Sequence, residues 1–147
     1  GRQQSEDGRT RPATVSPFET TVDVRYRDLD PMGHVNNAVY ATMFESARND
    51  FFREAVGVDL ADTDAVLASL AVEFHAPIEG TDPVTVLVWA SAVGETSCTF
   101  AYEVRADGRT AAEGETVLVA LGDDGDPVSL PDRLREALAA HTDPPEP

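Results

Sequence analysis

Apolar residues along the chain follow two rhythms, and the switch between them sets the predicted elements. From 18 to 26, FETTVDVRY is rich in β-branched residues and largely alternates, which predicts a strand. From 38 to 56, Tyr40, Phe44, Ala47, Phe51 and Ala55 recur at the spacing of one helical face and predict a long helix. Asn36 or Asn37 can cap its start, and Gly57 can end it in a left-handed turn. Beyond a loop holding Asp59, Asp62 and Asp64, period-2 alternation returns over 66–78, 84–93, 97–105 and 110–121. Leu70, Val72, Phe74 and Ala76 share a face of the first of these strands. Asp107-Gly108 joins the last two as a favoured two-residue hairpin turn, and a short amphipathic helix over 131–140 closes the fold.

The order β-α-β-β-β-β-α, without internal repeat, predicts an α+β domain: a five-stranded antiparallel sheet wrapped around one long helix. Such a sheet leaves open edges and an incompletely covered face. The expected remedy is a homodimer, or a tetramer built from dimers, with Asp30 near the subunit interface. At 147 residues, the expectation is a single domain over 17–141 between disordered polar tails, 1–16 and 142–147. Neither a signal-like apolar stretch in the first 16 residues nor an 18-residue apolar run occurs, so a cytoplasmic protein without a membrane partner is expected.

Charge narrows the picture further. The chain holds 27 Asp and Glu against 11 Arg, with no Lys, for a net charge of −16. Arg2, Arg9 and Arg11 against Glu6 and Asp7 give residues 1–16 a net +1, which leaves −17 on the rest. Such a surface repels phosphate polymers and argues against nucleic-acid binding. Self-repulsion on this scale is tolerable where salt screens it, since the Debye length falls from about 10 Å at 0.1 M to about 3 Å at 1 M. A halophilic interior is the expectation. The single cysteine, Cys98, excludes an intramolecular disulfide and a cysteine-rich zinc site, and its alternating neighbours predict a buried structural thiol.

Most familiar catalytic patterns are missing: there is no G-x-S-x-G elbow, P-loop, H-E-x-x-H pair or glycine-rich dinucleotide turn. His34, His75 and His141 lie far apart without helical metal-pair spacing, and no metal is expected. His75, with Glu73 two residues away on a strand, reads as a satisfied structural histidine. What stands out is the segment 26–40, which packs Asp28, Asp30, His34, Asn36 and Asn37 into the connection between the first strand and the helix. Asp28 reads as a loop or cap acid. Asp30 falls near the positive end of the helix, where unpaired N–H groups can polarise a carbonyl. A thioester suits this minimal equipment, because its leaving thiol ionises near about 8.5 and needs little acid assistance. One carboxylate, as nucleophile or as base for a water, plus a fixed N–H donor could suffice.

The string Y-R-D-L-D-P-M-G-H-V-N-N-A-V-Y, followed by F-E-S-A-R, resembles the hot-dog-fold acyl-CoA thioesterases of the 4-hydroxybenzoyl-CoA thioesterase type over about residues 18–121. The resemblance implies a hot-dog fold and hydrolysis of an acyl-CoA thioester, with CoA as part of the substrate and no separate cofactor. It makes Asp30 the catalytic carboxylate and gives Asn37 the backbone N–H that polarises the thioester carbonyl. Gly33, in the turn that admits substrate, and Tyr40, which closes the motif, become substrate-binding candidates. Some relatives carry a histidine at the position of Asn37. The plant acyl-carrier-protein thioesterases share H-V-N-N but place an asparagine where this chain has Met32, so His34 either orients Asp30 or a water, or hydrogen-bonds the loop. The segment 77–84, PIEGTDPV, holds an extra residue at Thr81 relative to the family's Pro then Gly-Asp pattern. Glu45, at i, i+3 from Arg48, reads as an ion-pair partner and is a further catalytic candidate. The alternatives are a non-catalytic acyl-CoA-binding module and an acyl-carrier-protein thioesterase. A hydratase of the same fold would place its acid and histidine after a long helix, whereas here both precede it.

The charge reading has a direct check. The thermal midpoint should rise markedly between 0.1 M and roughly 2 M KCl as the screening length contracts. A flat or falling midpoint would overturn the halophilic assignment.

Overall fold

The computed structural model describes residues 17–57 and 64–146, so the segment 1–16 and the acids Asp59 and Asp62 lie outside the described residues. In chain order come β1 (Phe18–Val22), α1 (Val39–Phe51), β2 (Ala65–Phe74), β3 (Val84–Val93), β4 (Ser97–Ala106), β5 (Arg109–Ala120) and α2 (Asp132–Ala139). The strands form one antiparallel sheet in the order β1-β3-β4-β5-β2, against which α1 packs. This is the hot-dog arrangement.

The expected apolar stripe of α1 is the buried one. Tyr40, Phe44, Ala47 and Phe51 are all buried, joined by Met43, and Ala55 packs on the same core. The N-cap is Ala38, which has no capping side chain, so neither candidate asparagine caps α1; Asn36 Oδ1 instead accepts the Ala38 N–H at 2.9 Å and closes the turn just before the helix. Past Phe51 the helix continues as a π-helical turn over Phe52–Val56. Gly57 then ends it at φ +80° and donates its N–H to the Phe52 carbonyl at 2.8 Å.

One contact sets the position of α1 against the sheet. The Phe44 ring lies nearly flat on Tyr102 of β4, with centroids 4.4 Å apart and planes at 11°. Room for it exists because residue 114 of β5 is glycine: a Cβ there would stand 2.2 Å from the ring. One turn on, Arg48 is buried and donates from Nη1 to the Tyr102 hydroxyl at 2.9 Å, and that hydroxyl shares a 2.6 Å hydrogen bond with Thr116. Burial raises the Tyr102 phenol above its ordinary value, and the Arg48 charge opposes the rise. The expected Glu45–Arg48 pairing is thereby corrected. Arg48 turns inward to the sheet while Glu45 stays exposed.

The strand ends also differ from expectation. β1 stops at Val22, opposite Val84, instead of running to 26. The Arg25 N–H donates to Asp28 Oδ2 at 2.8 Å, and Tyr26–Asp28 forms a 3-10 turn, so Asp28 acts as a turn-closing acid. β2 ends at Phe74 and not at 78, because the N–H groups of His75 and Ala76 both turn to the Ala111 carbonyl, at 2.8 and 3.1 Å. β2 is an edge strand, so Leu70 and Phe74 remain 44% and 48% exposed in the single chain. At the β4–β5 hairpin, Asp107 and Gly108 both adopt positive φ, 54° and 77°, as expected of the Asp-Gly pair. Cys98 is a buried free thiol, pushed up to about 12 by burial. Beside it, Phe100, Leu130, Leu134 and Leu138 enclose a cavity of only about 20 Å³, room for about one water.

Replacing Gly114 with alanine tests the central contact. The added methyl must displace Phe44 from Tyr102, and overpacking of this kind costs about 1–3 kcal/mol. A lowered urea midpoint at unchanged slope is expected. A wild-type midpoint would show that the close approach does not hold α1 in place.

Candidate functional site

The turn between β1 and α1 is held together by backbone groups gathered on Asp30. Its Oδ1 accepts the N–H of Met32 at 2.8 Å and of His34 at 3.1 Å. Its own N–H donates to the His34 carbonyl at 2.7 Å, and its carbonyl accepts the Gly33 N–H at 2.9 Å. Leu29 and Val35 pair as an isolated antiparallel bridge and close the loop at its base. Gly33 sits at φ +82°, a conformation that side-chain-bearing residues rarely adopt, and this lets the chain double back over Asp30. Asp30 is half-buried, and its Oδ2 has no hydrogen-bond partner among the described residues.

The turn is stitched to the segment after β2. Val35 donates to the Ile78 carbonyl at 2.8 Å, Gly80 donates to the Gly33 carbonyl at 3.2 Å, and His34 pairs with Glu79 as a bridge. The His34 imidazole follows its backbone: Nε2 lies 3.2 Å from Glu79 Oε2, while only the His34 N–H reaches the Asp30 carboxylate. Glu79 is the site residue that sequence reasoning missed. The one available signal is its place in PIEGTDPV, whose register the extra Thr81 obscures.

At the start of α1 the backbone donors are taken up one after another. His34 donates to Asp30 Oδ1, Val35 to Ile78, Asn36 to the Asp28 carbonyl, Ala38 to Asn36 Oδ1, Val39 to the Asn36 carbonyl and Tyr40 to the Asn37 carbonyl. Asn37 alone in this run has an N–H that no described protein group accepts, and the residue is exposed. It stands at the N-terminal end of α1, where the aligned peptide dipoles favour negative charge. The arrangement therefore offers, among the described residues, a carboxylate oxygen and a helix-start N–H that both lack a hydrogen-bond partner. That combination can supply a nucleophile or base and a donor to a carbonyl oxygen.

The remaining candidates fall farther along α1. Tyr40 is only 2% exposed and takes an edge-on contact from Phe74 of β2, with ring centroids 5.1 Å apart; burial raises its phenol. Glu45 is exposed, more than two helical turns past Asn37. The turn thus brings together Asp30, Gly33, His34 and Asn37, and joins Glu79 to them, while Tyr40 lies in the core and Glu45 on the surface.

Residues 24–138, which include the whole of this turn and α1, match the thioesterase-like superfamily. The chain belongs to this superfamily. Among solved structures, this thioesterase-like chain is 40% identical to a thioesterase from Thermus thermophilus complexed with coenzyme A and Zn, with a TM-score of 0.76 over 86% of this chain and 95% of that one. It is 27% identical to the DHNA-CoA thioesterase of Staphylococcus aureus, with a TM-score of 0.78 over 85% and 90% of the two chains. The uncharacterized protein YsmA of Bacillus subtilis is 28% identical over 128 residues, 85% of this chain and 87% of that protein.

Proposed function

We propose that the protein hydrolyses an acyl-CoA thioester to the free acid and CoA, in the manner of the 4-hydroxybenzoyl-CoA thioesterase type. The observation that carries this reading is the Asn37 N–H, the one backbone donor from His34 to Tyr40 that no described group accepts, at the start of α1 beside the Asp30 turn. The thioester oxygen accepts this N–H, and charge developing on that oxygen is stabilised by the helix end. Asp30 Oδ2 either attacks the carbonyl carbon or takes a proton from the attacking water. The C–S bond then breaks, CoA leaves as thiolate, and the hydroxyl of water ends on the acid. No cofactor is called for, since CoA enters and leaves with the substrate.

Two features support CoA as the carrier. The Thermus relative was crystallised with coenzyme A, and the exposed Arg27, beside an Arg25 that pairs with Asp28 at 3.8 Å, puts positive charge on the turn just before Asp30 in an otherwise acidic chain. A homodimer, or a tetramer of such dimers, belongs to the same proposal: a second chain would cover the β2 edge and the half-exposed Leu70 and Phe74 beside Tyr40. The acidic surface suits a salt-rich cytoplasm.

Asp30→Asn is the decisive substitution. It keeps an Oδ1 acceptor for Met32 and His34, so the turn stays closed, but removes the nucleophile or base. The kcat for acyl-CoA hydrolysis, followed by release of the CoA thiol, should fall by at least about 10²-fold with substrate binding retained. Asp28→Asn should cost much less. Wild-type kcat in Asp30→Asn together with an inactive Glu45→Gln would move the chemistry to the helix. No turnover in the wild type, with affinity lost on Asp30→Asn, would identify a binding module. Light scattering in molar salt should return at least a dimer at micromolar concentration; a monomer would remove the assembly.

A further inference from the structure

On the outer face of the sheet, opposite α1, strand pairing creates an unusual row. Glu113 of β5 stands directly opposite Glu73 of β2 on one side and Glu103 of β4 on the other. Like charges directly opposite one another destabilise a sheet, and this chain already carries a net −16 with no Lys to intersperse. Glu103 is neutralised locally: Arg105 Nε lies 2.6 Å from its Oε2 and the Thr110 hydroxyl 2.8 Å from it. Glu73 and Glu113 instead converge on one imidazole. His75 follows Glu73 by two residues, and its Nε2 lies 2.8 Å from Glu113 Oε1 and 3.7 Å from Glu73 Oε1.

We infer that Glu73, His75 and Glu113 form a binding site for a divalent transition-metal cation of the zinc class, clamping the edge strand β2 to β5. One donor atom from each of the three side chains lies within 4.8 Å of the others. Ligands about 2.1 Å from a tetrahedral zinc stand about 3.4 Å apart, so small rotations of three exposed side chains bring the set onto one ion. Two carboxylates and a neutral imidazole balance a divalent charge, and the nitrogen donor favours zinc, cobalt or nickel over magnesium or calcium. An open depression of about 360 Å³, lined by Ala71, Val72, Glu73, Glu113, Gly114 and Glu115, leaves room for water to complete the coordination. The site lies on residues outside the Asp30 turn and is independent of the thioesterase reading. His75 thus has a role beyond the structural histidine that its neighbour Glu73 suggests in the sequence, because only the β2–β5 pairing brings Glu113 to it.

The test is calorimetric titration of the full chain with Zn²⁺ after chelator treatment, in about 1 M KCl, where diffuse binding to an acidic surface is screened. One saturable site per chain is expected, resistant to a large excess of Mg²⁺, and the wild-type thermal midpoint should rise on adding Zn²⁺. His75→Gln and Glu113→Gln should each weaken binding by more than about tenfold, the lower end of what losing even an outer partner of a metal site costs. Glu95→Gln, an exposed carboxylate elsewhere, should leave it unchanged. All three positions are on the surface, so circular dichroism of the variants should match wild type. No saturable binding, equal competition by Mg²⁺, or unchanged affinity in His75→Gln would overturn the site.

Discussion

The flat contact of Phe44 on Tyr102, over the gap left by Gly114, is the constraint on which the rest of the molecule depends. Hydrophobic burial alone would hold α1 to the sheet, since each of its large apolar side chains is worth about 1.5–3 kcal/mol when fully buried. Burial is non-directional, however, and would tolerate a rotated helix. Stacking one ring into a one-residue gap does not. The Arg48–Tyr102–Thr116 hydrogen bonds add a second fixed point one turn away, in surroundings where an unmet partner costs about 1–3 kcal/mol. With rotation fixed at Phe44 and Arg48, Tyr40 meets Phe74, and the exposed Asn37 at the helix start keeps an N–H that no described group accepts.

What is legible in the sequence follows from how local each feature is. The helix can be read to within a residue or two because its apolar spacing and its glycine stop are written in contiguous positions. The Asp30 turn is legible for the same reason, with Asp30, Gly33, His34 and Asn37 all inside one short string. Strand ends are less so. Alternation continues through Val24 and Ala76, yet β1 and β2 stop where their ladder partners stop, and no pattern within a strand announces that. Helical spacing pairs Arg48 with Glu45 because it shows only neighbours on the helix, whereas the actual partner comes from β4. The singular status of the Asn37 N–H is equally hidden. It emerges only once Asp28, Ile78 and Asn36 have taken the surrounding donors.

The fold separates its tasks by face. The face toward α1 is apolar apart from a short polar chain through Arg48, while the outer face carries the exposed Glu73, Glu113 and Glu115 and a buried Glu103 that Arg105 and Thr110 satisfy. Charge therefore accumulates where solvent and ions can answer it, and the packing that fixes α1 is left undisturbed. Relatives at 27–40% identity retain the same architecture, which fits a fold whose stability resides in the core.

The Asp30 turn carries an implication for how such a protein diversifies. Its pose is written almost wholly in peptide groups: the N–H of Met32 and of His34, the Gly33 dihedral, and the carbonyls of Ile78 and Asp28. The side chains of Pro31 and Met32 point outward and contribute none of this, and Met32 is 77% exposed. Mutational drift at those two positions can rewrite the rim presented to an incoming molecule without disturbing the carboxylate beneath it. On the proposed function, selection for a new substrate and selection to keep the reaction act on different atoms of the same few residues.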